Sequence, residues 1–310
     1  MQLIQDIFTK YGSVYLEKYG KKMPSLHKKA LHAIMNCRTK SLGGEVYYCK
    51  KCNEYHYSYH SCGNRHCAVC QNNDAADLIE RNKKMMLPFT YFLGTFTMPE
   101  ELRKLCRKEQ RLFYSILFKS SSYALKLLAK DEKYLGAEIG MIGILHTWSR
   151  ALVYHPHVHC LIPGGGISED GKTIRFSDED FLIHVKPLST IFRAKFRDNL
   201  KEHAPEIFNK IPAKVWKRDW VVHMKPVGNG EKAMEYMGRY LFRVAIINNR
   251  IIKFEDGKVT FRYTDGKTGK TKIVTLDALE FIRRFLQHVL LHNFMKVRYY
   301  GYLASAAKKK

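Results

Sequence analysis

The chain has 310 residues, with 53 Lys+Arg against 29 Asp+Glu and a formal net charge of +24. At roughly 150 residues per domain this length suggests about two domains, and 45% hydrophobic with 13% aromatic residues is enough for packed cores, which excludes a disordered basic tail. So large an excess of cations suits a protein that neutralises phosphates better than a generic metabolic enzyme.

Residues 1 to about 36 read as helical, with Leu31 and Ile34 among lysines. The first stretch is broken by Asp6, Lys10, Glu17 and Lys18, so it is not a secretory h-region, and no apolar run approaches the ~18 residues of a membrane span. A reducing, cytoplasmic setting without a membrane partner is expected, and the eight cysteines are then not a disulfide framework. Gly43-Gly44 ends the helical pattern, and six cysteines, Cys37, Cys49, Cys52, Cys62, Cys67 and Cys70, crowd into 34 residues.

Cys49-x-x-Cys52 and Cys67-x-x-Cys70 are two knuckles of zinc spacing, since two intervening residues let both sulfurs turn inward on one tight loop. The 14 residues between Cys52 and Cys67 allow a short hairpin, so these four thiolates are expected to share one structural zinc. Cys37, Cys62, His56, His60 and His66 remain in the segment, with His32 nearby, and four of them could assemble a second zinc. His56 and His60 read equally well as exposed residues among the tyrosines of YHYSYHS. A polar helix over 71–86 then leads to Pro88, the expected boundary between a helical, zinc-binding and DNA-binding domain over 1–87 and a second domain over 88–310.

In the second domain, 89–98 reads as a buried strand, and Pro99 opens a helix running to about Lys130 with one break near Ser120–Ser122. Glu138–Trp148 and His157–Ile162 are further strands, the latter closed by Pro163 and Gly164-Gly165-Gly166. Helices over 181–202 and 231–242 flank a strand over 220–225, a hairpin turns at Asp256-Gly257, and 276–291 is amphipathic. The pattern predicts an α+β domain with a central, largely antiparallel sheet.

His157 and His159 lie two apart on a strand, so both imidazoles point to one face while Val158 points to the other. Tyr236 and Tyr240 lie four apart on the expected helix, beside Arg239 and Arg243, and so share its face. Spacing of this kind is often an aromatic core stripe. With a divalent ion on the histidines it would instead be a phosphoryl-transfer site, the ion acting on a phosphate oxygen and a phenol attacking phosphorus.

CRTKSLGGEVYYCKKC (37–52), SCGNRHCAVCQ (61–71), FTMPEEL (96–102), HPHVHCLIPGGG (155–166), YMGRYLFRVAI (236–246), FIRRFLQHVL (281–290) and VRYYGYLA (297–304) stand in one order along nearly the whole chain. This set resembles the HUH superfamily of single-strand endonucleases, specifically the rolling-circle insertion-sequence transposases of the IS ninety-one type. The resemblance implies an N-terminal zinc-binding domain at Cys49, Cys52, Cys67 and Cys70, with Cys37, Cys62 and His66 at further positions of it. It implies a catalytic Mg²⁺ or Mn²⁺ on His157 and His159, and Tyr236 and Tyr240 as the nucleophile pair of the two-tyrosine relatives. The implied activity is cleavage and rejoining of single-stranded DNA at transposon ends and target, through a 5′-phosphotyrosine, by a bacterial, nucleoid-associated protein. The family tail usually runs on past VRYYGYLA, whereas this sequence continues only with SAAKKK.

Superfamily members generally add a third metal ligand. His146, on the preceding strand, is the first choice, with Glu138 or a residue near the tyrosines as alternatives. His155 is expected to orient the histidine pair or contact DNA, and Cys106 and Cys160 to be packing residues. Arg239, Arg243 and Arg65 are the candidate DNA contacts, while Trp216 and Trp220 offer base stacking among basic residues. Two other readings share much of this pattern: a non-catalytic zinc-ribbon nucleic-acid-binding protein, and a plasmid replication initiator using the same chemistry. Oligomeric state is not legible.

Overall fold

Leu3–Tyr19 (α1) and Ser25–Asn36 (α2) are separate helices, because Pro24 cannot continue the first and serves as N-cap of the second. This computed structural model describes residues 3–71, 80, 86–230, 232, 233, 235, 238, 244–266 and 268–304. Along the chain follow Gly44–Cys49 (β1), Glu54–Tyr59 (β2), Tyr91–Thr97 (β3), Arg103–Lys108 (α3), Gln110–Ala129 (α4), Glu138–Ile139 (β4), Met141–Trp148 (β5) and Tyr154–Pro163 (β6). Gly165–Ile167 (β7), Ile174–Phe176 (β8), Val185–His203 (α5), Pro205–Phe208 (α6), Lys214–Lys217 (α7) and Val222–Gly228 (β9) come next. Ile251–Glu255 (β10), Lys258–Thr264 (β11), Thr271–Asp277 (β12), Ala278–Leu286 (α8) and Val297–Tyr300 (β13) complete the described elements. The expected helices over 71–86 and 231–242 fall largely outside the described residues. Among those described, no helix is long and apolar enough to cross a membrane.

The chain forms two compact units from interleaved segments: Met1–Leu78, Trp148–Tyr154 and Phe242–His292 in one, and Ile79–Thr147, His155–Leu241 and Asn293–Lys310 in the other. A single cut at Pro88 therefore does not describe how the chain packs. The reason lies in α8, whose Phe281, Ile282, Phe285 and Leu286 make one buried stripe while Arg283 and Arg284 turn outward to Glu280. Phe285 meets Phe8 edge-on with ring centroids 5.1 Å apart, and Phe281 meets Phe261 at 6.3 Å, so N-terminal helix and late hairpin share a core. In that hairpin Asp256 and Gly257 both have positive φ, 47° and 71°, as the two-residue turn expected there requires. A third strand, β12, pairs with β11 and was not expected from sequence.

The second unit is built on a five-stranded sheet of order β13-β5-β6-β3-β9, in which β13/β5, β3/β6 and β3/β9 are antiparallel. The protein is thus α+β with a mainly antiparallel central sheet. β6 sits in the middle and is buried almost throughout, as its apolar run demands. Phe96 of β3 packs on Phe192 of α5 at 5.1 Å, so this helix covers the face to which Phe96 and its cross-strand partner Val158 point. The break in the long helix falls at Glu109 rather than at Ser120–Ser122, and those serines are buried within α4. The strand closes at Pro163 as expected, but Gly165 and Gly166 begin a new strand rather than a turn, and Gly164 is the bend between them. It passes the chain from β6 to β7 of a second small sheet, β4-β7-β8, with its N–H on the Thr90 carbonyl at 2.7 Å. A Cβ there would lie 2.7 Å from that same oxygen, so only glycine fits.

Candidate metal centres

In the sheet unit, His146 of β5 and His157 and His159 of β6 converge on the face opposite Val158 and Cys160, their ligand nitrogens all within 4.8 Å of one another. The Nε2 atoms of His157 and His159 are 3.1 Å apart, and the His146 ring centroid lies 5.5 Å and 4.7 Å from those of His157 and His159. Three nitrogens each about 2.1 Å from one ion would be separated by at most about 4.2 Å, so the cluster needs only small adjustments to hold a divalent cation.

The outer nitrogens are already engaged. Nδ1 of His157 lies 2.7 Å from the His155 carbonyl and can only donate to it, which leaves Nε2 as a lone pair facing the cluster. Nδ1 of His159 bonds the Thr95 hydroxyl at 3.0 Å, because Thr95 stands directly opposite His159 in the β3/β6 register and so on the same face. Burial pushes His157 down to about 4 and His159 well below the ordinary histidine range, with the Arg103 guanidinium adding to the depression at His157. All three imidazoles are buried, and neutral imidazole is the ligating form.

His155 does not join the cluster. Its carbonyl orients His157, its ring Nδ1 accepts from Arg103 Nη2 at 2.8 Å, and burial followed by its charged neighbours lowers it to about 3. Glu138, the alternative third ligand, lies in β4 and pairs with Lys130 at 2.8 Å instead. Cys106 and Cys160 are buried packing residues. Trp220, expected to stack on bases, is 3% exposed, wedged against Phe192 and Phe196 at 5.3 Å and 5.1 Å, with its indole N–H on the Val215 carbonyl; it belongs to the core. Trp216 stacks on it at 5.7 Å. Tyr236, Tyr240, Arg239 and Arg243 lie outside the described residues.

In the other unit the cysteines group differently from the expectation. Cys37, Cys62, Cys67 and Cys70 bring their sulfurs within 4.8 Å of one another, with Cys37–Cys70 at 3.5 Å and Cys62–Cys70 at 3.6 Å. Sulfurs about 2.3 Å from a tetrahedral zinc stand about 3.8 Å apart, so the four fit that ion. Cys49 and Cys52 do not share it and cluster instead with His56, Cys52 Sγ lying 3.6 Å from His56 Nε2.

The cause is the ribbon. β1 and β2 pair from Gly44↔Tyr59 to Cys49↔Glu54, so Cys49 and Cys52 sit at its tip, about 17 Å from its base at 3.4 Å per residue. Cys37 and Cys62 flank the base, which is tied by Arg38 N–H to the His60 carbonyl and His60 N–H to the Gly43 carbonyl. One zinc cannot span that length. His66, also expected among the ligands, uses Nε2 to accept from Leu290 N–H at 3.2 Å and lies outside the thiol cluster. Arg65 donates to the Leu291 carbonyl at 2.6 Å.

Three of these thiols differ sharply in acidity. The hydrogen bond from Cys62 holds the Cys67 thiolate down to about 5, the same bond together with burial pushes Cys62 up, and burial pushes Cys37 up to about 11. One buried negative charge is stable there, and four are not unless an ion compensates them.

Residues 140–310, more than half of the chain, match the family described as "Putative transposase", and residues 7–98 match the "Transposase zinc-binding domain". The chain is 36% identical to "Putative transposase y4qJ" of Sinorhizobium fredii over 99% of its own length and 81% of that protein's. It is 28% identical to "Transposase for insertion sequence element IS801" of Pseudomonas savastanoi pv. phaseolicola, over 88% of this chain and 69% of that one. No solved structure matches it. Nearly end-to-end likeness, a four-thiol cluster inside the zinc-binding match and a histidine cluster within the larger one agree: the chain belongs to this transposase family, of the IS ninety-one type with an N-terminal zinc-binding domain.

Proposed function

We propose that the protein cleaves and rejoins single-stranded DNA at transposon ends and target by a rolling-circle route, acting in the cytoplasm on nucleoid DNA. The observation that carries this reading is the buried cluster of His146, His157 and His159, pre-oriented by Thr95 and the His155 carbonyl. In it these three residues would hold Mg²⁺ or Mn²⁺, which would supply Lewis-acid charge to the scissile phosphate. The sheet fixes two of the ring planes through their outer nitrogens, and burial keeps His157 and His159 neutral.

Tyr236 or Tyr240 provides the nucleophile. Its phenolic oxygen bonds to phosphorus as the P–O3′ bond breaks, the phenol loses a proton and the 3′-oxygen gains one. One phosphodiester is exchanged for another, so the step reverses onto a new 3′-hydroxyl. Arg239 and Arg243, three and seven positions beyond Tyr236, present cations to the neighbouring phosphates, and Arg65 adds a DNA contact from the zinc-binding segment. In this reading the segment 1–87 supplies the zinc ligands and DNA contacts and the cutting residues come from 88–310, although Trp148–Tyr154 and Phe242–His292 pack with the first segment. Cys37, Cys62, Cys67 and Cys70 hold one zinc, and Cys49, Cys52 and His56 a second.

The test is a labelled single-stranded oligonucleotide of the element end, incubated with Mg²⁺ or Mn²⁺ and resolved under denaturing conditions. Wild type is expected to form a covalent adduct, and Tyr236→Phe with Tyr240→Phe to bind the strand without forming one. An adduct in the double variant overturns the tyrosine assignment. Binding without nicking by wild type, in either metal, favours the non-catalytic zinc-ribbon reading.

A further inference from the structure

We infer that one face of the β1–β2 ribbon is a stacking surface for unpaired bases, through which the zinc-bearing unit takes hold of single-stranded DNA. The inference rests on the reading above and names the surface and the mode of contact. Cross-strand partners in the ribbon point to the same side, and the register pairs Val46 with Tyr57, Tyr48 with Tyr55 and Gly44 with Tyr59. One face therefore carries Tyr48, Tyr55, Tyr57, Tyr59 and Val46 and no charged residue. Both carboxylates, Glu45 and Glu54, lie on the other, with Tyr47, Cys49, His56 and Ser58.

These rings contribute nothing to a core. Tyr55 and Tyr57 are 64% and 63% exposed, Val46 56% and Tyr48 51%, and neither strand has a fully buried residue. A two-stranded ribbon wet on both faces gains only about 0.2–1 kcal/mol from a cross-strand aromatic pair such as Tyr48 with Tyr55, which does not account for four exposed tyrosines on one face. Tyr57 and Tyr59 are near-parallel, 18° between planes with centroids 6.3 Å apart, and Tyr48 and Tyr55 form a second pair at 5.2 Å. The four rings thus form two pairs on one face of the ribbon.

Charge decides the occupant. The chain carries +24, the tip turn of the ribbon presents Lys50 and Lys51 to solvent, and Arg38 and Lys40 stand near its base. A polyanion meets cations at both ends of an uncharged aromatic strip, the combination that binds single strands: phosphates at the basic ends, bases on the rings. Groove readout of a duplex uses Arg, Lys, Asn or Gln at base edges. This face offers only phenols, whose π-faces accept any unpaired base.

The experiment uses the full-length, zinc-loaded protein and three fluorescent probes: oligothymidylate, an abasic strand with the same number of phosphates, and a duplex. Wild type is expected to prefer oligothymidylate. Tyr55→Ala with Tyr57→Ala should weaken that binding about 100-fold, about tenfold for each ring, while leaving the abasic probe unchanged. Tyr55→Phe with Tyr57→Phe should bind as wild type does, because the rings remain. Circular dichroism and zinc content should be the same in all forms, since these side chains are exposed.

Unchanged affinity in the alanine pair overturns the inference, and so does an equal loss on the abasic strand. An alanine pair that dissociates a dimer in sedimentation while retaining its strand affinity would make the face a contact between copies instead, which also overturns it. The two levels separate cleanly: if wild type forms the covalent adduct and the alanine pair binds normally, the stacking surface falls and the strand-transfer reading stands. If wild type shows no single-strand affinity, both fall.

Discussion

Two clusters of sulfur ligands in one unit lie about one ribbon length apart in opposite environments. Cys37, Cys67 and Cys70 are buried in the apolar core that also contains Ile34 and Phe285, whereas Cys52 and His56 are exposed near a hairpin tip. Where thiols are packed inside, the ion completes a core that cannot tolerate their charges unpaired. At the tip the ion would close only a turn. The same chemistry would therefore have different consequences: loss of an ion from the inner site would undo the fold around it, and loss of one from the outer site would release only a tip.

The largest expected effect is at the inner cluster. Cys70→Ser removes a buried ligand whose sulfur sits against both Cys37 and Cys62. A structural zinc contributes on the order of 10 kcal/mol, comparable with the whole stability of a domain, so this unit should unfold, as should wild type treated with chelator. Zinc content and far-UV circular dichroism check it. A variant that loses one equivalent of zinc and stays folded would break the contrast at its strong end.

The histidine cluster carries the contrast to the other unit, where the buried imidazoles lie on a five-stranded sheet held by its own backbone ladder. His159→Ala should abolish metal-dependent nicking, by on the order of 100-fold or more, with little change in circular dichroism. Titration with Mn²⁺ should show weakened binding. Unfolding of the variant would mean that the sheet, like the thiol core, depends on its site. Thr95→Val is gentler: it keeps shape and burial but removes the oxygen on His159 Nδ1, and should weaken Mn²⁺ by about tenfold. No change would mean that the strands alone orient the ring.

How much of this could be read beforehand follows the same division between local and long-range. HVHCLI reads as a strand because Val158 and Cys160–Ile162 are apolar and Pro163 with the glycines closes it, and the two-residue period alone puts His157 and His159 on one face. His146 is the first choice from sequence because it stands on the preceding strand, and it joins them because β5 lies beside β6, whereas Thr95 depends on a cross-strand register that leaves no mark in local sequence. The cysteines mislead for the same reason. Adjacent knuckles suggest one zinc, but an intervening hairpin carries one pair away and returns the other to Cys37. The alternation YHYSYH shows a strand with tyrosines on one side, while their exposure depends on nothing packing over them. Trp220 errs in the opposite direction, a residue suited to stacking on bases that three-dimensional packing buries beneath α5.

The smallest expected effect tests the exposed end of the comparison. Cys52 is exposed, its sulfur meets His56 across the turn, and no core residue depends on it. Cys52→Ser should therefore remove one equivalent of zinc and shift the melting temperature by a few degrees at most, the shift that about 1 kcal/mol or less produces in a domain of this size. What it should change is order at the ribbon tip, because Cys49 and Cys52 then lose the ion that ties them to His56 of the returning strand. Faster amide exchange at 49–56, with protection unchanged in α1, α2 and α8, is the expected signature. A collapse in stability equal to that of Cys70→Ser would show that the tip ion supports the whole unit, and the distinction between a core-forming and a turn-closing site would then fail.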